Sequence, residues 1–349
     1  MADLNFNDFA ATSADWRASL SMNSRRTYLV IGLFFTIYIA LGILVDMFMN
    51  ASHYPSATIP QLFQALVTFQ LIPYATFVMV AVAGVSLLVT FALSDKLMLL
   101  GTEYREITPG TAQNEKETQL YNVVDEMKIA AGLRFIPKVF IIEADYMNAF
   151  ASGYSEKSAM VAITRGLMEK LNRSELQAVM AHELSHIRHM DIKLTLMASV
   201  LANLMLMVID IFFYNALFSN NSRSDSKNTL AGIIIMVRYL LPVINVILLL
   251  YLSRRREFMA DAGSVQLLRD NQPLASALLK IQNDHDANQA QYSAAYQQTP
   301  HENVRREAYI FDPVQAGIEP MTSIADLFST HPDMKSRLAA IGFKYKNEK

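Results

Sequence analysis

The stretch that decides the fold is "NRSELQAVMAHELSHIRHMDIK" (Asn172–Lys193), which predicts one helix. Within it, "HELSH" matches the pattern H-E-x-x-H at His182, Glu183 and His186. Two imidazoles four residues apart lie on one helical face, so both can reach a single Zn²⁺ ion. Glu183 would point toward the open coordination position and take a proton from water there. The pentapeptide alone leaves open a polar helix with two solvated histidines.

A catalytic zinc site commonly has three protein ligands, so a third is needed. His189 lies on the same straight helix and converges poorly with the first two histidines. The better candidate is Glu257 in "RRREFMADAG" (Arg254–Gly263). Two apolar segments, Leu194–Phe218 and Leu230–Leu252, separate it from the histidines, and an antiparallel hairpin of these segments would bring Glu257 beside them. Asp261 follows one helical turn later and would accept a hydrogen bond from the second nitrogen of a ligand histidine. The competing interpretation of both carboxylates is an ordinary solvated helix face.

The composition predicts a membrane protein. Of the 349 residues, 52% are hydrophobic and only 18% are charged, and the mean hydropathy is +0.20. The net charge of −2 gives no indication of nucleic-acid binding. The absence of cysteine excludes disulfides, thiolate nucleophiles and cysteine-bound zinc. Any metal must therefore be held by histidine, aspartate or glutamate.

Four apolar stretches are long enough to cross a bilayer, which takes about 20 helical residues. They are Tyr28–Met49, Leu71–Leu93, Leu194–Phe218 and Leu230–Leu252. The last two contain Asp210 and Arg238 at similar depth, which predicts an ion pair, because isolated charges in a membrane are destabilising. The alternative is that Arg238 snorkels to the outer headgroups while Asp210 is protonated or hydrated.

Four motifs in order give the chain a specific resemblance to the HtpX family of membrane-bound zinc endopeptidases, relatives of the CAAX prenyl proteases and the Oma-type proteases. The motifs are "NAFASG" (Asn148–Gly153), "HELSH" (His182–His186), "EFMAD" (Glu257–Asp261) and "THPDMKSRL" (Thr330–Leu338). The resemblance implies one zinc ion per chain and cleavage of damaged or misfolded membrane proteins at the cytoplasmic face of the bacterial inner membrane. Polypeptide substrates and the lipid bilayer are the implied partners, and the oligomeric state stays open.

The resemblance also implies roles for particular residues. The zinc ligands would be His182, His186 and Glu257. Glu183 would be the general base, and Asp261 would accept a hydrogen bond from a ligand histidine. His331 and Arg337 would lie near the active site, where His331 helps to stabilise the oxyanion.

A small sheet is predicted after an amphipathic helix over Glu115–Leu133. Its strands are Lys138–Ile142, Tyr146–Gly153 and Ser158–Thr164. The pattern alone favours plain strands, whereas the resemblance favours Asn148 and Ala149 as substrate-binding residues at a strand edge, which can bind a peptide through main-chain hydrogen bonds. The remaining histidines, His53, His285 and His301, are expected to be solvated loop residues.

The predicted fold class is α+β and mostly helical, with four transmembrane helices and a cytoplasmic gluzincin-type domain that contains the small sheet. Residues 1–27 form a polar, partly disordered extension, and residues 28–93 hold the first two transmembrane helices. Residues 94–193 form the first part of the cytoplasmic domain, 194–252 the hairpin of the third and fourth transmembrane helices, and 253–349 the second part. The distribution of Lys and Arg places both termini inside.

Two other functions fit parts of the sequence. A catalytically silent scaffold or chaperone could keep the zinc in a structural role, but a structural site has no need of Glu183. A transporter is suggested by Asp210 and Arg238, although one ion pair makes a poor pathway.

Overall fold

The computed structural model describes residues 9–11, 16–99, 102–153, 155–217, 225–298, 309–311 and 331–345. Within these ranges the chain is mostly helical, with a four-stranded and a two-stranded sheet. The helices are α1 (Trp16–Asn50), α2 (Ile59–Val67), α3 (Tyr74–Leu99), α4 (Glu115–Ala131), α5 (Arg165–Lys170), α6 (Arg173–Arg188), α7 (Asp191–Leu217), α8 (Asp225–Leu268), α9 (Gln272–Ala287), α10 (Gln289–Gln298) and α11 (Met334–Ala340). The strands are β1 (Phe9–Ala11), β2 (Tyr104–Ile107), β3 (Lys138–Ile142), β4 (Ala149–Ser152), β5 (Met160–Thr164) and β6 (Phe343–Tyr345).

The chain divides into two compact units. Unit 1 comprises Met1–Thr27, Phe91–Leu194 and Leu250–Lys349, and unit 2 comprises Tyr28–Thr90 and Thr195–Leu249. The sheets belong to unit 1, whereas unit 2 contains most of the long apolar helices.

The four-stranded sheet of unit 1 has the order β2-β3-β5-β4. β3 and β5 are parallel, and the outer strands β2 and β4 are antiparallel to their neighbours. The three predicted strands are present as β3, β4 and β5, whose residues are buried except for the first of β3. β2 has the sequence YREI and therefore lacks the apolar run that predicts a buried strand. Ile107 is its only buried residue. β4 forms an outer strand of this sheet and lies against α6.

The two-stranded sheet pairs β1 antiparallel with β6, with Phe9 opposite Tyr345. β1 lies within the predicted extension 1–27, and α1 already begins at Trp16. These parts of the extension are therefore regular structure, and its other residues lie outside the described ranges.

The prediction of one helix over Asn172–Lys193 is wrong. α6 ends at Arg188 and α7 begins at Asp191. Met190 between them has a φ of 53°, a left-handed conformation that interrupts the series of helical hydrogen bonds. Asp191, the residue after the break, therefore points in a direction that a continuous helix would not allow.

The prediction that His285 is a solvated loop residue is also wrong. It lies in α9, is fully buried, and has its Nδ1 2.8 Å from the Ile281 carbonyl oxygen. Polar neighbours in "NDHDANQ" conceal that this position belongs to the buried face of α9. His53 is exposed as expected, and His301 lies outside the described residues.

Three helical segments in the described chain are long and apolar enough to cross a membrane. They are Tyr28–Asn50, Met197–Leu217 and α8 (Asp225–Leu268). The apolar part of α3, Tyr74–Thr90, is shorter than the roughly 20 residues that a span needs. The protein therefore has three candidate membrane spans, and the four-span topology stays a prediction.

Two carboxylates of unit 2 have specific partners. The predicted ion pair between Asp210 and Arg238 is present. The buried Asp46 accepts hydrogen bonds from the main-chain N–H groups of Ala75 and Thr76, at 2.8 and 2.9 Å, and from the Thr76 hydroxyl at 2.7 Å. Asp46 thus satisfies free N–H groups in the first turn of α3 and joins that helix to α1.

Candidate active site

Two helices of unit 1 carry the candidate site. α6 presents His182, Glu183 and His186, and the C-terminal part of α8 presents Glu257 and Asp261. All five side chains are buried, with exposed fractions between 0% and 5%. Their four-residue spacings place each group on one face of its helix, so the two faces meet as one cluster.

A close approach of the two helices brings these faces together. A Cβ atom at Gly263 would lie 2.4 Å from the Ser185 hydroxyl oxygen, so a larger residue would force α8 away from α6. The next residue, Ser264, donates a hydrogen bond of 2.7 Å to the Ala178 carbonyl oxygen on α6. Sequence reasoning missed both positions, and the run of small residues in "ADAGS" is the signal that could have found them.

The spacing of the donor atoms fits one metal ion. His182, His186 and Glu257 each offer a ligand atom within 4.8 Å of the other two. The two histidine Nε2 atoms are 3.2 Å apart, and each lies 3.6 Å from a carboxylate oxygen of Glu257. Ligand atoms about 2.0–2.1 Å from a tetrahedral zinc ion are about 3.3 Å apart. Two imidazole nitrogens and one carboxylate are therefore a suitable donor set at a suitable separation.

Glu183 lies beside this cluster, near the main chain of Ala151 in β4. Neither of its buried oxygens has a hydrogen-bond partner within the described part of the chain. A buried carboxylate without partners is destabilising, so the position calls for a group that enters the site, such as a water molecule. Its neighbour in sequence, His182, is one of the three candidate ligands.

Asp261 connects the candidate ligand His182 to Arg337. One oxygen of Asp261 lies 3.0 Å from His182 Nδ1. Arg337 donates two hydrogen bonds to the same carboxylate, from Nε at 2.9 Å and from Nη2 at 2.7 Å. The pair is fully enclosed, and its two-point geometry orients the carboxylate toward the imidazole.

The second histidine has an analogous partner, Asp191, that sequence reasoning missed. His186 Nδ1 lies 3.1 Å from an Asp191 carboxylate oxygen, and Asp191 is fully buried. The contact depends on the helix break at Met190, since a continuous helix would carry Asp191 away from His186. No spacing rule in the sequence indicates such a break.

Of the remaining predicted residues, His331 and Arg337 border the same cluster. His331 Nε2 lies 3.8 Å from a Glu257 oxygen, and Arg337 Nη2 lies 3.7 Å from the other. Asn148 immediately precedes β4 and Ala149 begins it, and both are buried. Ala149 does not present a free edge, because its carbonyl oxygen accepts a hydrogen bond of 2.9 Å from the main chain of Ile310.

Burial and charge set the protonation of the cluster. Burial lowers the pKa of His182, but hydrogen bonding to Asp261 and Glu257 outweighs this effect and raises the pKa to about 9. A cation bound at His182 would displace that proton. Burial raises the pKa of Glu183 to about 7. Burial would also raise the pKa of Glu257, but the charge of His331 and the hydrogen bond with His182 hold it well below its ordinary value. A carboxyl group with a pKa near 7 is suited to accept and return a proton.

Residues 114–343 match peptidase family M48. The chain belongs to this family. It is a metallopeptidase, and the His182, His186 and Glu257 cluster is able to hold the metal that the family implies.

Relatives extend this assignment over nearly the whole chain. Proteins described as "Protease HtpX homolog" from Helicobacter acinonychis and Helicobacter pylori (strain J99) are each 38% identical over 323 residues, covering 92% of this chain and 96% of theirs. One from Dictyoglomus thermophilum is 34% identical over 246 residues, covering 70% of this chain and 74% of its own. The predicted resemblance is confirmed. Among solved structures, S. mikatae Ste24p superposes with a TM-score of 0.47 at 16% identity, over 92% of this chain and 67% of that one.

Proposed function

We propose that the protein is a zinc-dependent endopeptidase of the bacterial inner membrane that hydrolyses peptide bonds of damaged or misfolded membrane proteins. The observation that carries this proposal is the enclosed cluster of His182, His186 and Glu257 with the unpartnered Glu183 beside it. A structural metal site has no use for a free buried carboxylate, whereas a hydrolytic site requires a proton acceptor.

His182, His186 and Glu257 would hold the zinc ion, which when bound supplies the Lewis acidity that polarises a scissile carbonyl and acidifies a water molecule. Glu183 accepts the water proton and delivers it to the leaving amine. A pKa near 7 allows both transfers at neutral pH. Asp261 and Asp191 each fix one imidazole, so that Nδ1 faces a carboxylate and Nε2 is left toward Glu257, where it would be available to a metal ion.

Arg337 supplies positive charge next to the ligand carboxylate, and His331 places a ring nitrogen there. Both lie within 3.8 Å of Glu257, where a donor can stabilise negative charge that develops on a substrate carbonyl oxygen. Their placement supports His331 as the oxyanion donor and Arg337 as a group that binds a substrate main-chain oxygen.

Two features support a membrane location: the apolar composition of three helical segments, and the continuity of one of them with the helix that carries Glu257. Three helical segments are long and apolar enough to cross a bilayer, and one of them, α8, is the helix that carries Glu257. The clustering of Lys and Arg before the first apolar helix and around residues 254–256 favours an active site on the cytoplasmic side. Membrane proteins and their cytosolic loops are the substrates that such an anchored protease would meet.

The deciding experiment replaces the proton acceptor. We expect Glu183→Gln to lower the rate of β-casein cleavage by the detergent-solubilised, zinc-loaded protein by about 10²- to 10⁴-fold while zinc content, measured by atomic absorption, stays at one ion per chain. Glu169→Gln, at an exposed carboxylate of α5, is the matched control and keeps wild-type cleavage. Unchanged cleavage by Glu183→Gln would sink the mechanism. A wild-type protein that holds zinc without cleaving any polypeptide would instead support the silent scaffold.

A further inference from the structure

A short segment of the chain occupies the outer edge of β4. Phe150 of β4 forms an antiparallel bridge with Tyr309, and the Ile310 N–H donates a hydrogen bond of 2.9 Å to the Ala149 carbonyl oxygen. β4 is an outer strand of its sheet, so this edge is where an additional strand can be accepted. The segment Tyr309–Phe311 therefore lies where an extended peptide would bind.

The main-chain groups of this segment are bound by Arg337 and by Asn148, one of the two predicted substrate-binding residues. Arg337 Nη1 donates a hydrogen bond of 2.6 Å to the Ile310 carbonyl oxygen. The side-chain amide of Asn148 donates to the Phe311 carbonyl oxygen at 3.0 Å, and its oxygen accepts from the Phe311 N–H at 3.3 Å. All of these contacts are to backbone atoms, so any extended peptide with the same direction could make them.

The segment is tied directly to the metal-binding cluster. The guanidinium of Arg337 that binds the Ile310 carbonyl also holds Asp261 and lies 3.7 Å from Glu257. A peptide in this position has one of its carbonyl oxygens bound by a residue that contacts a candidate metal ligand. This is the arrangement expected for a substrate residue close to the scissile bond.

Aromatic contacts hold the segment in place. The Tyr309 ring lies 5.7 Å from that of Phe150 and 6.3 Å from that of Tyr296, and the Phe311 ring lies 4.5 Å from the His285 imidazole. Tyr309 and Phe311 are at most 3% exposed. These rings give the segment an affinity that the backbone contacts alone would not provide.

We propose that Tyr309–Phe311 is an internal pseudosubstrate that occupies the peptide-binding edge of β4 and must leave it before a substrate can be cleaved. This inference rests on the proposed endopeptidase function and adds the substrate class: an extended polypeptide, antiparallel to β4, with large apolar side chains at the positions of Tyr309 and Phe311.

A reversible disulfide tests the proposal. Phe150 and Tyr309 face each other across an antiparallel bridge, where Cα atoms are about 4.5–5.5 Å apart, a separation that a disulfide can span. The chain has no cysteine of its own, so F150C/Y309C introduces a single defined crosslink. We expect the oxidised double variant to cleave β-casein at least 10-fold more slowly than the same protein after reduction, whereas F150C and Y309C alone are insensitive to reductant. A crosslinked protein that cleaves as fast as its reduced form would overturn the proposal.

A second measurement does not depend on turnover. In an E183Q background, the rate of F150C/Y309C crosslinking reports whether the segment lies on β4. Saturating β-casein, with binding verified by fluorescence anisotropy, is expected to slow crosslinking at least 5-fold. Bound casein that leaves the crosslinking rate unchanged would show that the segment and the substrate use different sites. If the endopeptidase function fails but the segment is displaced by casein, the wild-type protein binds polypeptide without cleaving it, and the two failures are distinguished.

Discussion

The two compact units stabilise paired charges in different ways, enclosed in unit 1 and partly exposed in unit 2. In unit 1, Arg337 and Asp261 are separated by 76 residues, are at most 2% exposed, and form two hydrogen bonds. In unit 2, Asp210 and Arg238 lie on helices joined by a short connection, and their side chains are 45% and 34% exposed. The first pair positions a candidate ligand, whereas the second joins two neighbouring helices.

The difference follows from what each charge must do. An enclosed ion pair has lost most of its hydration, so its free energy depends on complete partnering, and removing one member leaves the other uncompensated. A pair with exposed side chains keeps contacts outside the protein, so the remaining partner can rearrange after a substitution. Unit 1 should therefore respond to the loss of one charge much more strongly than unit 2.

The largest effect is expected at Arg337. Arg337→Leu leaves Asp261 buried without its guanidinium partner, and we expect it to lower the free energy of unfolding by about 3–5 kcal/mol and to abolish peptidase activity. Arg337→Lys keeps the charge but loses the two-point contact, so it should lie between the wild type and Arg337→Leu. Chemical unfolding in detergent followed by fluorescence measures both. A loss below 1 kcal/mol in Arg337→Leu would contradict the contrast between the units.

A pH-dependent effect of similar origin is expected at His285. Burial lowers the pKa of His285 to about 4, compared with about 6.5 in an unfolded chain, so the folded state favours the neutral imidazole. Its contribution to stability is fully present above pH 6.5 and is lost as the pH falls from 6.5 toward 4, by about 3 kcal/mol in total. His285→Gln should flatten the dependence of unfolding free energy on pH in this window. The exposed His53→Gln is the control and should retain the wild-type slope.

Asp191 tests the contribution of a residue that acts through a ligand. Asp191→Asn keeps the size of the side chain and removes its charge beside His186 Nδ1. Loss of such a partner typically weakens metal binding 10- to 100-fold, and we expect that range for zinc, measured by competition with a chromogenic chelator. Glu169→Gln, at an exposed carboxylate, serves as control. Zinc affinity within twofold of the wild type would assign Asp191 a purely structural role.

The candidate ligands were accessible from sequence because helix geometry is local. His182 and His186 were predicted from their spacing of four residues. Glu257 was predicted because an antiparallel apolar hairpin returns the chain to the side on which the histidines lie. Asp191 was not accessible, because its contact depends on the left-handed conformation of Met190, which no residue pattern indicates.

The occupied edge of β4 was inaccessible for a related reason. "NAFASG" indicates a strand, and the order of the strands places it at an outer position only after the tertiary fold is known. Its partner Tyr309–Phe311 lies far along the chain, with a separation of 163 residues between Asn148 and Phe311, and carries no motif of its own. Long-range pairing of this kind depends on packing, and single-sequence patterns do not report it.

The smallest effect is expected for the ion pair of unit 2. Interhelical polar contacts in membranes contribute about 0.6 kcal/mol on average, because each partner finds other contacts when its own is removed. Arg238→Leu and Asp210→Asn should each change the stability of the α7–α8 hairpin by about 1 kcal/mol or less, and the double variant should restore most of the loss. A double-mutant cycle on thermal unfolding in lipid nanodiscs gives the coupling energy directly. A coupling above 3 kcal/mol would place this pair in the same class as Arg337–Asp261, and the distinction between the two units would then rest on exposure alone and not on energy.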